Sequence, residues 1–198
     1  MTITLMRHGK PHRSLTGRRS ALAMAQWCDA YDLAEICDKP TDSSLRLAAQ
    51  ADIIVTSPLP RARSSLERLG KTASRIDSLY SEVALPVIPL AFPTLPPFVW
   101  LLLLRVIWLL GYSGKVESYA QAKQRAVKAA GRLSELAQHG NVLLMGHGIM
   151  NKLISRQLRK LGWRGEKHAG SRHWSSAVYR KINSNDRKAD KTLLRGIG

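Results

Sequence analysis

Three apolar stretches of the sequence are each followed by side chains that can bind an anion or attack it. The stretches begin at Thr2, Asp52 and Asn141. The side chains that follow them are Arg7, His8, Arg61 and His147. Arginine carries a planar, permanently charged group that can hold an anion through two parallel N–H donors. A neutral imidazole nitrogen can act as a nucleophile.

The three stretches have the pattern of short buried strands. Residues 2–6 alternate β-branched and apolar side chains, and residues 52–56 and 141–145 are largely apolar. Ligands of an open α/β sheet bind at the carboxyl ends of its strands. If the three strands are parallel neighbours, we expect the four side chains to converge on one pocket.

The motifs around these side chains, in their order along the chain, resemble those of the histidine phosphatase superfamily, which has the phosphoglycerate mutase-like fold. They are Arg7-His8-Gly9, Ser57-x-x-x-Arg61-Ala62 and Gly146-His147-Gly148. The resemblance covers roughly residues 1–85 and 115–180. It implies an α/β fold, a three-layer sandwich whose mostly parallel central sheet is flanked by helices. It also implies a phosphatase that hydrolyses a phosphomonoester without a metal or an organic cofactor.

The same resemblance implies a role for each motif residue. His8 would attack phosphorus and form a phosphohistidine, while a backbone carbonyl, expected at Gly9, holds its other ring nitrogen. Glu82 would protonate the leaving oxygen and then activate water. The phosphoryl group would be bound by Arg7, Arg61, His147 and Gly148, with His147 favoured in its protonated form.

Several positions leave alternatives open. Glu82 stands where family members often place the acid, but it could instead be a surface carboxylate at a strand edge. Many relatives carry an acidic or amide residue just after the Arg-His-Gly motif, where this chain has Lys10. Lys10 and Arg13 either form a cationic rim for the substrate or belong to a solvated loop. Arg63 alternates away from Arg61 on the predicted helix, so we expect it on the surface.

Residues 98–110 are apolar except at Arg105. This segment is shorter than the ~20 residues that cross a bilayer as a helix. A helix that is apolar on every side must bury both faces, in protein or in lipid. We expect a buried or dimer-interface helix, and the alternative is a peripheral membrane segment with Trp100 and Trp108 at headgroup level. In the family this insertion commonly covers the active site, so an apolar one implies an amphiphilic ester, such as a lipid phosphate, or a protein substrate.

One domain is expected over residues 1–182, with the apolar helical insertion at about 83–114 and a basic tail over 183–198. Helical patterns predict helices over residues 20–31, 43–51, 64–69, 118–138 and 149–161, and a last strand over 175–182.

The net charge is +17, from 31 Lys and Arg against 14 Asp and Glu. Such a charge is typical of nucleic-acid-binding proteins, but the basic C-terminal part lacks a recognisable reader motif and its aromatics are sparse. We therefore expect the charge to attract an anionic substrate or membrane headgroups.

Cys28 and Cys37 lack metal-ligand spacing and suggest free thiols in a reducing compartment. No basic-then-apolar leader precedes the first strand. These features predict a cytoplasmic protein, with peripheral membrane association as the alternative.

Two other functions stay open at this stage. A phosphoglycerate mutase-like transferase could use the same constellation, although the short chain without a mutase substrate loop favours a phosphatase. A low-activity membrane- or protein-binding member of the family could keep the pocket and turn over slowly.

Overall fold

A computed structural model of the protein describes residues 1–12, 15–166, 170 and 172–181. Arg13 and the predicted basic tail at residues 183–198 lie outside these described residues. The domain boundaries and the extent of the insertion stay predictions.

Six strands form one sheet within the described residues. They are β1 (Thr2–Arg7), β2 (Ile53–Thr56), β3 (Arg75–Ile76), β4 (Val142–Gly146), β5 (Trp163–Gly165) and β6 (Ser176–Lys181). Their order across the sheet is β3-β2-β4-β1-β6-β5. The first four in this order run parallel, whereas β6 is antiparallel to β1 and β5 is antiparallel to β6. The predicted mostly parallel sheet is confirmed, and it brings β1, β2 and β4 together.

Six helices lie in the described part of the chain. They are α1 (Ala21–Asp32), α2 (Asp42–Ala49), α3 (Pro60–Arg68), α4 (Pro97–Leu109), α5 (Tyr119–Leu136) and α6 (Gly148–Lys160). Polar caps begin several of them, because the first N–H groups of a helix lack partners within it. The Ser20 side chain accepts from Ala23 N at the start of α1, and Ser118 and Gln121 form a capping box at α5.

Helices cover both faces of the sheet, as predicted for a three-layer sandwich. On one face, buried side chains of α5 and α6, such as Leu133 and Ile154, pack against Leu5 and Leu144 of the sheet. On the other face, small and apolar residues of α2 and α3 pack against Ile54 and Met145. Because both faces are covered, β1, β2 and β4 are buried, and only their carboxyl ends are left for a site.

The apolar segment forms α4, which buries one face only. Trp100 and Leu104 pack against α1, and Trp108 is fully buried. The opposite face is open: Phe98 is 60% exposed and Leu102 is 65% exposed. Among the described residues, neighbouring elements pack against one side of α4, so the expected burial of its other face is not seen in this part of the chain. The contact with a membrane or a second copy stays a prediction. Among the helices of the described residues, none is long and apolar enough to cross a membrane.

Candidate active site

The site lies where β1 and β4 end side by side. Arg7 is in register with Gly146, and His8 N donates to Gly146 O at 3.1 Å. The residue after each strand is a histidine, so the parallel pairing sets His8 beside His147, with ring centroids 5.1 Å apart. The predicted convergence of these two side chains follows from strand register.

His8 is buried and is held in one orientation by a backbone carbonyl. It is 2% exposed, and its Nδ1 lies 2.7 Å from Gly9 O. A carbonyl accepts hydrogen bonds, so Nδ1 carries the proton and the lone pair is on Nε2. Burial, followed by the charges of His147 and Arg61, lowers the pKa of His8 well below its usual value of 6.5. The site thus stabilises the neutral imidazole that nucleophilic attack requires.

Gly9 holds this arrangement through its backbone. Its N–H donates to Ser65 Oγ at 2.9 Å, and its carbonyl faces the imidazole of His8. A Cβ at this position would lie 2.5 Å from Asp38 Oδ1 and 2.7 Å from a Trp174 ring carbon. A side chain at Gly9 would therefore displace the carbonyl that fixes the tautomer of His8.

Arg61 lies on the first turn of α3 and is buried, with 1% of its surface exposed. Its Nη1 donates to Asp32 Oδ1 at 2.8 Å, and the guanidinium lies over the Tyr31 ring at 4.9 Å from the centroid. Its Nε is buried and has no hydrogen-bond partner among the described residues. A buried donor of this kind is costly unless a ligand accepts from it. Arg63, the next arginine on the same helix, is exposed as predicted.

His147 is fully buried and is bonded to a hydroxyl from the neighbouring strand end. Its Nε2 lies 2.6 Å from Ser57 Oγ, while its Nδ1 is buried and has no hydrogen-bond partner in the part of the chain that the structure describes. Burial and then the charges of Arg61 and Arg7 lower the pKa of His147 well below its usual value. The isolated site favours the neutral form, and a bound phosphate dianion would act in the opposite sense. The predicted positive charge on His147 therefore stays a prediction for the complex.

Glu82 lies in the site, but its carboxylate caps a helix. Its two oxygens accept from the backbone N–H of Ile149 at 3.1 Å and of Met150 at 3.0 Å, and Oε1 also accepts from Val83 N at 3.0 Å. No side chain of α6 itself caps this N-terminus. Glu82 is therefore not a carboxylate on an outer strand edge. Its position serves the stability of α6 whether or not it transfers a proton.

A cavity of about 810 Å³ lies above these residues. Arg7, Arg61, Glu82 and Gly148 line one end of it, and a Cβ at Gly148 would lie 3.5 Å from the guanidinium carbon of Arg7. Lys10 also lines the cavity, which favours the cationic-rim alternative over a loop with no part in the site. The structure thus brings all the predicted site residues to one place.

Four residues of the site had no predicted role. Ser57 was part of the quoted motif, whereas Asp32 and Ser65 reach the site from helices whose packing no local pattern encodes. The polar, glycine-containing sequence around His168 and His173 predicts a loop without metal-ligand partners, yet the ring centroid of His173 lies 5.6 Å from that of His8. Burial and then the charge of Arg7 lower the pKa of His173 to about 4. His168, the other histidine of that loop, lies outside the described residues.

Metal-ligating side chains do not gather in the described ranges, where no group of three His, Cys, Asp or Glu could hold an ion. The two cysteines, Cys28 and Cys37, are free. Burial and then the nearby Asp32 raise the pKa of Cys28 to about 11, so its thiol stays protonated at neutral pH.

No protein-family model and no curated protein matches the chain. Solved structures do match it. The protein of open reading frame Rv3214 from Mycobacterium tuberculosis is 18% identical, with a TM-score of 0.59 over 92% of each chain. A mutant phosphoserine phosphatase from Entamoeba histolytica, in complex with phosphoserine, is 16% identical, with a TM-score of 0.54 over 92% of this chain and 96% of its own. A mycobacterial glucosyl-3-phosphoglycerate phosphatase in complex with VO3 is 20% identical, with a TM-score of 0.51 over 81% of this chain and 82% of its own.

Likeness at such low identity establishes the fold and leaves the activity to be argued from the site. The chain therefore has the phosphoglycerate mutase-like α/β fold that these structures share.

Proposed function

We propose that this protein is a phosphatase that hydrolyses a phosphomonoester through a phosphohistidine on His8. The observation that carries the proposal is the Nδ1 to Gly9 O contact of 2.7 Å, which leaves the lone pair on Nε2 of a buried imidazole. The neighbouring solved structures include proteins named as phosphatases, which supports phosphate ester hydrolysis as the general chemistry.

The first step transfers the phosphoryl group to the protein. The Nε2 lone pair of His8 attacks phosphorus in line, and the bond from phosphorus to the ester oxygen breaks. Arg7 and Arg61 donate to the phosphoryl oxygens, and His147 stabilises the charge that develops on them. The leaving oxygen takes a proton from the acid, a role we assign to Glu82, and departs as the alcohol.

The second step returns His8 to its starting state. Water attacks the phosphohistidine and loses a proton to the Glu82 carboxylate, and the bond from phosphorus to Nε2 breaks. Inorganic phosphate leaves, and Nε2 recovers its lone pair. The sum of the two steps is the ester plus water giving the alcohol plus phosphate, with no metal or organic cofactor.

A low-turnover binding protein is the second candidate, and two observations favour it. Glu82 already accepts three backbone N–H bonds, and His8 is not among the residues that line the cavity. A member of this kind would bind a phosphorylated ligand and release phosphate slowly.

The test is hydrolysis of p-nitrophenyl phosphate in EDTA by the wild type, His8→Ala and His139→Ala. His139 is exposed, with its ring outside the cavity, so His139→Ala controls for the loss of a histidine. We expect activity that survives EDTA, disappears in His8→Ala and is unchanged in His139→Ala. Activity that His8→Ala retains would overturn the phosphohistidine mechanism. Phosphate binding without turnover in the wild type would favour the binding protein.

A further inference from the structure

The cavity is much larger than a phosphate group needs, and its far wall is apolar. Its volume of about 810 Å³ is within the range of ~300–1,000 Å³ that encloses whole small-molecule ligands. Beyond the arginines, the wall is formed by Met24, Leu85, Val87, Leu101 and Leu104. These residues come from α1, from the chain after Glu82 and from α4.

The cavity also reaches the exposed face of α4. Leu102 lines the cavity and is 65% exposed, and Val87 lines it and is 46% exposed. A ligand whose body extends past the arginines would therefore cover apolar side chains that otherwise face water. Covering such surface is favourable by about 25 cal/mol per Å².

The segment of this wall that follows Glu82 carries basic side chains and no acidic ones. Residues 83–116 contain Arg105 and Lys115 but no Asp or Glu. Arg105 donates through Nη2 to Val83 O at 3.0 Å, and its guanidinium lies over the Trp108 ring at 5.0 Å from the centroid. This segment thus offers apolar side chains and no carboxylate. The carboxylates that line the cavity, Glu82, Asp29 and Asp32, lie outside it, and Asp32 is paired with Arg61.

We propose that the cavity selects phosphate monoesters of long-chain hydrophobic alcohols. The phosphate would lie between Arg7 and Arg61, and the alkyl chain of the ligand would lie along Leu101 and Leu102. This inference rests on the proposed function, because it uses the same phosphate site. If the substrate were a sugar or amino acid ester, the apolar wall would face the polar groups of that ester.

The test uses alkylphosphonates, which the protein cannot hydrolyse, so that binding is measured apart from turnover. Calorimetry compares ethylphosphonate with decylphosphonate, both below their micelle-forming concentrations. We expect decylphosphonate to bind at least about sixtyfold more tightly, the gain expected from roughly three buried methylenes. Equal affinities would overturn the inference.

Two matched variants on α4 test where the alkyl chain of the ligand lies. Leu102→Gln and Leu109→Gln make the same change at two exposed leucines of one helix, with 65% and 52% exposure. Of these two leucines, Leu102 lines the cavity and Leu109 does not. We expect Leu102→Gln to reduce the ratio of decyl to ethyl affinity about fivefold and Leu109→Gln to leave it unchanged. Equal effects of the two variants would contradict the placement of the chain and overturn the inference.

Hydrolysis of ethyl and decyl phosphate separates this inference from the proposed function. Turnover without a chain-length preference would refute the inference alone. Chain-length-dependent phosphonate binding without turnover of any ester would refute the phosphatase and support the cavity as a binding site for the same ligand class.

Discussion

Glu82 provides a test in which structural and chemical roles give different results. Its carboxylate accepts from Ile149 N and Met150 N, the second and third residues of α6. Glu82→Ala removes both acceptors. A hydrogen bond to a charged group contributes about 1.5–3 kcal/mol, and water can replace part of it at this half-buried position. We therefore expect the free energy of unfolding to fall by about 2–3 kcal/mol, which lowers Tm by roughly 4–12 °C for a chain of this size.

Glu82→Gln separates the cap from the acid. Glutamine keeps one acceptor oxygen, so about half of the stability loss should be recovered, but it cannot donate a catalytic proton and then accept one. If Glu82 is the general acid, hydrolysis of an alkyl phosphate should fall by about 10²–10⁴. The loss should be smaller for p-nitrophenyl phosphate, because its nitrophenolate leaves without protonation.

The assay measures kcat/KM for both esters and Tm by calorimetry, with Glu67→Gln as the control. Glu67 is exposed on α3 and does not line the cavity. Equal activity losses of Glu82→Gln on the two esters would refute the acid role and leave Glu82 as a helix cap. An unchanged Tm in Glu82→Ala would refute the cap.

Three further predictions concern the rest of the site. Because the pKa of His8 is lowered, its imidazole stays neutral as pH falls through 6.5, and its NMR ring signals should not titrate between pH 8 and 6; a midpoint near 6.5 would show an unperturbed histidine. Arg61→Lys loses the two-pronged donor, so kcat/KM should fall about 10²–10³-fold, whereas Arg63→Lys, at an exposed position, should have no effect; equal losses would contradict a specific role. Ser57→Ala removes the hydroxyl 2.6 Å from His147 Nε2, and kcat/KM should fall about tenfold; wild-type activity would show that this contact does not orient the ring.

The parts of the site that sequence could predict are those set by local pattern. The strands that precede His8 and His147 are short and apolar, and a glycine follows each histidine, so the type of these strands and their ends were recognisable. The carbonyl contact of His8 at Gly9 was expected from the family resemblance, and it joins two adjacent residues. Strand register then converts two separate motifs into one site.

The parts that could not be predicted depend on packing between distant elements. Asp32 meets Arg61 only because α1 lies over the start of α3, and Glu82 reaches α6 across 67 residues of sequence. The edge strands β3 and β5 have two and three residues, too few for a periodic pattern. The half-exposed α4 could not be predicted from composition, because a sequence that is apolar on every side does not indicate which face of the helix packs against a neighbouring element.

The central claim is that phosphate passes through His8, and trapping the intermediate tests it most directly. The wild type and His8→Ala would be mixed with a phosphate ester, quenched in alkali, which preserves phosphohistidine, and analysed by peptide mass spectrometry. The account predicts a phosphoryl group on His8 in the wild type and none on any histidine in His8→Ala. Turnover by the wild type with no phosphohistidine at the earliest quench times, or a phosphoryl group on His147 or His173 instead, would contradict it.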